Sequence, residues 1–252
     1  MPSVSSAHCS RSTGGECHRQ TEAEIQLTGR RNVSDTSHPS CNFHMRKGIT
    51  RVMPLRAAGV NVAMGLDDKT INDDEDAVME LRMMHKVHRV HTFDLAMPAL
   101  SAYEALEIAT VNGAKATGFA DEVGALVPGM KGDAILVDLH PVARDPWIDP
   151  EFDIADAFVE RAMGADVATV AIGGKIVVED HQSRTIDVDG LYCEVRAFCA
   201  SRPYVQAWHG TWHETMLETS KLAAIAENRV ASLDSVSTPV SLMAVVAALV
   251  TP

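Results

Sequence analysis

An α/β fold is what this sequence predicts, with a parallel-sheet half followed by a smaller β-rich half. The run "VNVAMGL" (60–66), bounded by Gly59 and by a pair of aspartates, has the composition of a strand buried on both faces, as in parallel sheets. Helical periodicity follows it twice, from Asp73 onward and over 101–118. After Gly118 the texture changes to short β-branched runs separated by Gly and Pro turns. The order strand, helix, helix, hairpins, helix places the end of a parallel α/β barrel before part of a separate small β-domain.

Taken in chain order, residues 1–20 are rich in Ser, Gly, Cys and His without periodicity, which predicts disorder or a loop. "TEAEIQL" (21–27) predicts a short helix with Thr21 as N-cap and Glu24 completing a capping box. Residues 37–49 read as a loop around Pro39, and 50–59 as a helical turn ending at Gly59. In the next helix Ala77, Leu81, Met84 and His88 keep helical spacing, and Asp73, Asp74, Glu75 and Asp76 occupy the first turn, where acids complement the helix dipole. The 101–118 helix is capped by Ser101 with Glu104, carries Leu106, Ile108 and Ala109 on its apolar side, and stops at Gly118. "GALVPGMKGDAILVDL" (124–139) predicts two strands around a "PGMKGD" turn, and 165–180 a hairpin around "GG". A short extended piece, "SRTIDVD", follows, then helices over 190–202 and about 204–230. The expected division is 1–31 poorly ordered or unrelated, 32–120 partial barrel, 121–190 partial β-sandwich, and 191–252 helices and tail.

Composition narrows the function classes. The chain has 252 residues, 46% of them hydrophobic, enough for a sizeable core in one or two domains. A net charge of −12 argues against a general nucleic-acid or anionic-membrane binder. The charge is uneven: residues 1–56 hold 8 Lys/Arg against 4 Asp/Glu, or +4, which leaves −16 for the rest. Five cysteines with no CxxC pair fit free thiols in a reducing compartment. The N-terminus has no apolar signal-type core, and "PVSLMAVVAALV" is too short to span a bilayer. The expectation is a cytoplasmic protein.

The aspartates of "GLDDKTINDDED" are the first candidate site. As residues, they read either as turn carboxylates capping the next helix or as site carboxylates at a strand end. The stretch fails the EF-hand template, with Lys69 and Ile71 at ligand positions and no Gly at the sixth. His85, His88 and His91 are spaced three apart, a pattern compatible with a metal pair and commoner on a core-flanking helix face. "WHGTWHE" (208–214) reads as packing, and Met64, Met79, Met83 and Met84 as core filler.

In sequence order, "GVNVAMGLDD", "NDDEDAVMELRMMHKVHR", "ALEIATVNGAKATGFADEVGALVPGMKGDAILVDL" and "VATVAIGGKIVVED" resemble the C-terminal part of the metal-dependent amidohydrolase superfamily. The branch most similar contains aminohydrolases and chlorohydrolases acting on nitrogen heterocycles. The resemblance covers roughly residues 32–200. It implies a (β/α)8 barrel with a β-sandwich, and one divalent metal, zinc or iron, held by an HxH pair, further His ligands and one Asp. It places Asp67 at the family's "GTDG" aspartate on the eighth strand, as metal ligand and acceptor of the proton from the metal-bound water. That water would attack a C–N or C–Cl bond of a small heterocyclic substrate, most simply in hydrolytic deamination. Asp68 and Asn72 become candidate substrate contacts, Asp68 alternatively a turn cap. "SHPSCN" is similar to the "NPxSN" segment after strand seven, and "GECHRQTEAEI" to "AHCVHLTDEEI" after strand six, with Glu16 at the catalytic His position.

The sequence also departs from the family. It contains no HxH, and its length does not accommodate strands one to five. Two expectations follow: a metal-dependent hydrolase, or a truncated and catalytically silent fragment that serves as scaffold or needs a complementary chain. A second copy of this chain is the other partner considered; nucleic acid and membrane are not expected.

Overall fold

The computed structural model describes residues 13–15, 20–67, 74–91, 98–144, 146–149 and 151–200. By contact density the chain divides into two compact units, residues 1–176 with 241–252, and residues 177–240.

The first unit is built on a three-stranded parallel sheet in the order β1 (Thr13–Gly15), β2 (Ser34–Ser37), β3 (Asn61–Met64). The register runs Thr13↔Ser34 and Gly15↔Thr36 on one side of β2, and Ser34↔Asn61 and Ser37↔Met64 on the other. Helix α1 (Glu22–Arg30) joins β1 to β2; α2 (Pro39–His44) and α3 (Val52–Ala57) join β2 to β3. Parallel neighbours require such crossovers.

The expected capping box at α1 is formed. Glu24 N–H donates to Thr21 Oγ1 at 3.4 Å, and the Glu24 carboxylate accepts from Thr21 N–H at 2.7 Å. The Thr21 backbone bond holds the Glu24 carboxyl below its ordinary range. Ile25 from α1 is fully buried. So within 1–31, expected to be poorly ordered or unrelated, residues 13–15 enter the sheet and 22–30 form a helix that buries Ile25 in the core.

Three local readings need correction. Residues 37–49 are not one loop: β2 ends at Ser37 and α2 starts on Pro39, because a proline at the first helical position forfeits only an N–H that has no partner there anyway. The described acids before α4 (Ala77–Val87) lie outside its first turn. Glu75 has φ +55, and Asp76 is the N-cap, accepting from Val78 N–H at 2.8 Å and Met79 N–H at 3.1 Å. Asp73 lies outside the described residues. The 101–118 segment is two helices, α5 (Ala102–Ala109) and α6 (Val111–Thr117), broken at Thr110 (φ −115, ψ −85). Gly124 sits in that notch, where a β-carbon would lie 3.2 Å from the Thr110 carbonyl oxygen and 2.9 Å from Ala114 Cβ. The Ser101–Glu104 capping box and the left-handed stop at Gly118 (φ +86) are as expected.

After Gly118 the first expected strand is absent among the described residues. Residues 124–132 form turns, with Lys131 N–H bonded to Glu122 O at 2.8 Å and Met130 N–H to Val127 O at 3.2 Å. β4 (Ala134–Val137) instead pairs antiparallel with β5 (Val167–Ile172), from Ala134↔Ala171 to Val137↔Val167. Buried Asp133 accepts from Gly173 N–H at 2.6 Å and Gly132 O from Gly174 N–H at 3.1 Å, so the "GD" turn holds the "GG" turn. Gly173 and Gly174 need φ +57 and +74, and β6 (Lys175–Glu179) begins after them, as expected. Between β4 and β5 lie α7 (Leu139–Arg144) and α8 (Ile154–Arg161), which the sequence reading left unassigned.

One hydrophobic core runs through this unit, with Ile25, Leu55, Val62, Leu81, Met84, Leu100, Ile108 and Phe158 at its centre. In the second unit, β7 (Gln182–Ser183) pairs antiparallel through Val178↔Ser183, Arg184 and Glu179 form an ion pair at 2.7 Å, and α9 (Val188–Ala200) follows. The helix expected over 204–230 lies outside the described residues. No helix among the described residues is long and apolar enough to cross a membrane.

Candidate functional site

The C-terminal ends of β2 and β3 lie side by side in the parallel register, and the turns that leave them carry the candidate chemistry. β3 delivers Gly65, Leu66 and then Asp67, whose φ of +56 is unusual for a residue with a side chain. Asp67 is exposed. β2 delivers His38 and then α2, with Cys41 in its first turn and only 2% exposed. The Cys41 thiol donates to Asp67 Oδ2 at 3.3 Å. Asp68 and Asn72, the expected substrate contacts, lie outside the described residues, as do Glu16 and His18.

The floor beneath this mouth is polar and buried. Ser40 N–H donates to Glu80 Oε1 at 3.0 Å and the Ser40 hydroxyl to Glu80 Oε2, locking α2 onto α4. Both residues have no exposed surface. Burial pushes the Glu80 carboxyl above its ordinary range, against the two Ser40 bonds. His38 lies over Gly65: a β-carbon there would come within 2.2 Å of the imidazole Cε1, so only glycine allows this ring at the strand end. Its Nε2 is 3.0 Å from Thr36 Oγ1. Sequence reasoning missed His38, Cys41, Glu80 and Gly65. The signal available for His38 and Cys41 was the "SHPSCN" segment itself; Gly65 lies at the end of "VNVAMGL", and nothing local marks Glu80.

His85 and His88 form no metal pair among the described residues. His88 Nδ1 meets Met84 O at 2.9 Å, and its Nε2 accepts from Leu100 N–H at 3.0 Å, which fixes a neutral tautomer. His85 Nε2 accepts from the Arg89 guanidinium at 2.9 Å, and its other nitrogen lies 3.6 Å from Glu160 Oε1. The His91 side chain lies outside the described residues. His85 borders a cleft of about 400 Å³, with Arg89, Ser101, Phe152, Asp156 and Arg161. Burial first, then the Arg89 and Lys86 charges, holds the His85 pKa below its ordinary value, with Glu160 opposing. The unfolded chain therefore binds this proton more readily than the folded one. The His85 share of stability is complete above about pH 6.5, the unfolded value, and is lost as pH falls from there through the folded pKa. Denaturation midpoints of the protein minus those of His85→Gln, which keeps an acceptor for Arg89, are expected to fall between pH 7.5 and 5. A difference flat with pH contradicts this assignment.

A zinc or iron centre draws its ligands from several converging His, Cys, Asp or Glu side chains. Among the described residues no group of three such side chains converges, and Asp67 has Cys41 beside it instead. The described residues therefore do not fit a complete metal site. The buried Asn42 amide and the Thr50 hydroxyl also have no hydrogen-bond partner among the described residues, an uncommon state for native polar groups.

A crossover-linked parallel sheet with a carboxylate beyond one strand end is the local layout at the mouth of α/β barrels. The family pattern described as "Amidohydrolase family" matches residues 5–177, and the chain belongs to that family. A 5-methylthioadenosine/S-adenosylhomocysteine deaminase from Moorella thermoacetica is 35% identical over 192 residues, 76% of this chain and 42% of that protein. A 5'-deoxyadenosine deaminase from Methanosarcina barkeri is 33% identical over 186 residues, 74% of this chain and 39% of that protein. Among solved structures, an adenosine deaminase from Xanthomonas campestris with bound zinc superposes with a TM-score of 0.67 at 27% identity, covering 75% of this chain and 42% of its own. Atrazine chlorohydrolase from Arthrobacter aurescens, complexed with zinc, shares the fold at a TM-score of 0.64 and 21% identity, over 73% of this chain and 40% of its own. The chain thus spans about 40% of the length of the curated relatives it matches.

Proposed function

We propose that this chain is the carboxylate-bearing part of a hydrolytic deaminase acting on a nitrogen heterocycle, and that it is silent without ligands from elsewhere. On this reading β1–β3 are the closing strands of a (β/α)8 barrel, and β4 and β5 belong to an incomplete β-sandwich. The observation that carries it is Asp67, held past the end of a buried parallel strand, where barrel enzymes keep their chemistry. Its role in the full centre is metal ligand and proton acceptor. Asp68 and Asn72 are proposed for the substrate side of the same turn. Relatives named as deaminases of adenosine derivatives support an adenine-type heterocycle, and zinc in the 27%-identical structural neighbour supports zinc. The acidic balance weighs against nucleic acid or an anionic membrane as partner, and the cysteine pattern fits the cytoplasm.

That no three His, Cys, Asp or Glu side chains converge among the described residues favours silence for the chain alone. The test pairs zinc content with ammonia release from adenosine and 5'-deoxyadenosine. The purified chain is expected to retain no stoichiometric zinc after dialysis and to release no ammonia above background. Zinc-dependent release by the chain alone overturns the proposal.

A further inference from the structure

Cys41 has a place in the fold that packing alone does not explain. It sits in the first turn of α2, which is pinned from below by the Ser40–Glu80 bonds and begins immediately after β2. Its sulfur is almost wholly buried, yet it lies 3.3 Å from a carboxylate oxygen of an exposed residue on another strand end. No second hydrogen bond to the Asp67 carboxylate is formed among the described residues. Asp67 itself sits in a turn with φ +56, a left-handed conformation that aspartate adopts more readily than most residues.

We propose that Cys41 is the positioning residue for Asp67: its S–H, mounted on a rigid buried helix, occupies Oδ2 and leaves Oδ1 as the oxygen offered to the site. This rests on the deaminase reading for what Asp67 does, but not for how it is held. A thiol is a weak donor. It makes a short-range steering contact, and substitution by Ser preserves the donor where Ala removes it. The arrangement also makes Asp67 a one-oxygen participant, since a carboxylate bonded through Oδ2 presents its second oxygen singly.

The experiment uses the whole chain labelled with ¹³C-carboxyl aspartate, the Asp67 resonance being the one missing from Asp67→Asn. In Cys41→Ala the resonance is expected to move, and in Cys41→Ser to return toward its original position. In parallel, the S–H stretching band that Cys41→Ala removes is expected to lie below that of an exposed thiol and to rise in Asp67→Ala. If Cys41→Ala does not fold, Cys41→Ser removes the same band and serves for the infrared arm. A carboxyl resonance identical in the Ala and Ser variants, or a thiol band unmoved in Asp67→Ala, overturns the proposal. Either failure leaves the deaminase reading standing. Zinc bound to the chain alone would overturn that reading without bearing on these bands.

Discussion

Glu80→Ala is expected to lower folding stability by about 2–4 kcal/mol, the sum of a core cavity and stranded hydrogen-bond donors. Glu80 has no exposed surface and is the acceptor for both the Ser40 N–H and the Ser40 hydroxyl. Alanine removes the acceptor that both groups share across α2 and α4. Glu80→Gln is a different case. Its amide oxygen takes the Ser40 N–H, and its NH₂ donates to the hydroxyl oxygen, so both contacts survive. Burial already raises the Glu80 carboxyl pKa, so folding disfavours its charged form relative to the unfolded chain. Its contribution is complete below the unfolded value near 4.5 and is lost as pH rises through the folded pKa. The glutamine variant is therefore expected to lie within about 1 kcal/mol of the parent at pH 7, measured by urea denaturation. Equal losses for Ala and Gln contradict this account of the floor.

Phe158→Ala is expected to cost about 3–5 kcal/mol, the range for emptying a large buried aromatic site. Phe158 is 1% exposed and, with Val159 and Ala155, is the apolar face by which α8 joins the shared core. Arg82 from α4 ties the same helix at its C-terminal end, donating to Val159 O at 3.1 Å and to Ala162 O. The aromatic therefore sits in a frame that does not collapse easily around a void. Phe158→Leu, which refills most of the volume, is expected to lose less than half as much. Thermal or urea unfolding that ranks Leu and Ala equally contradicts the packing described.

What the sequence made readable depended on which signal each segment carried. β3 announced itself as an apolar run, interrupted only by Asn61, between Gly59 and the aspartates, and α1 and α5 through Thr21–Glu24 and Ser101–Glu104. β2 was missed because Ser-Asp-Thr-Ser is polar throughout, although Ser34, Asp35 and Ser37 are all buried. Its strand character comes from two parallel neighbours, which local composition does not encode. α2 was hidden by Pro39, which marks loops as often as helix starts. α8 went unread, although Asp153 caps it by accepting from Ala155 N–H at 2.8 Å, the kind of signal that identified α1. For the site, the strand end located Asp67, but nothing in the spacing links Cys41 to a residue 26 positions further on. The Ser40–Glu80 pair is more distant still, 40 positions apart. Such pairs exist only once the sheet has brought the two strand ends together.

Our central proposal is that Asp67 is one limb of a metal centre whose remaining ligands this chain does not supply by itself. Elemental analysis of the purified chain, dialysed against buffer with excess zinc and then against metal-free buffer, beside Asp67→Ala, tests it most directly. The account predicts far less than one zinc or iron per chain, with no difference between the two proteins. One metal per chain in the parent, lost in Asp67→Ala, would contradict it, because the chain would then hold a complete site of its own.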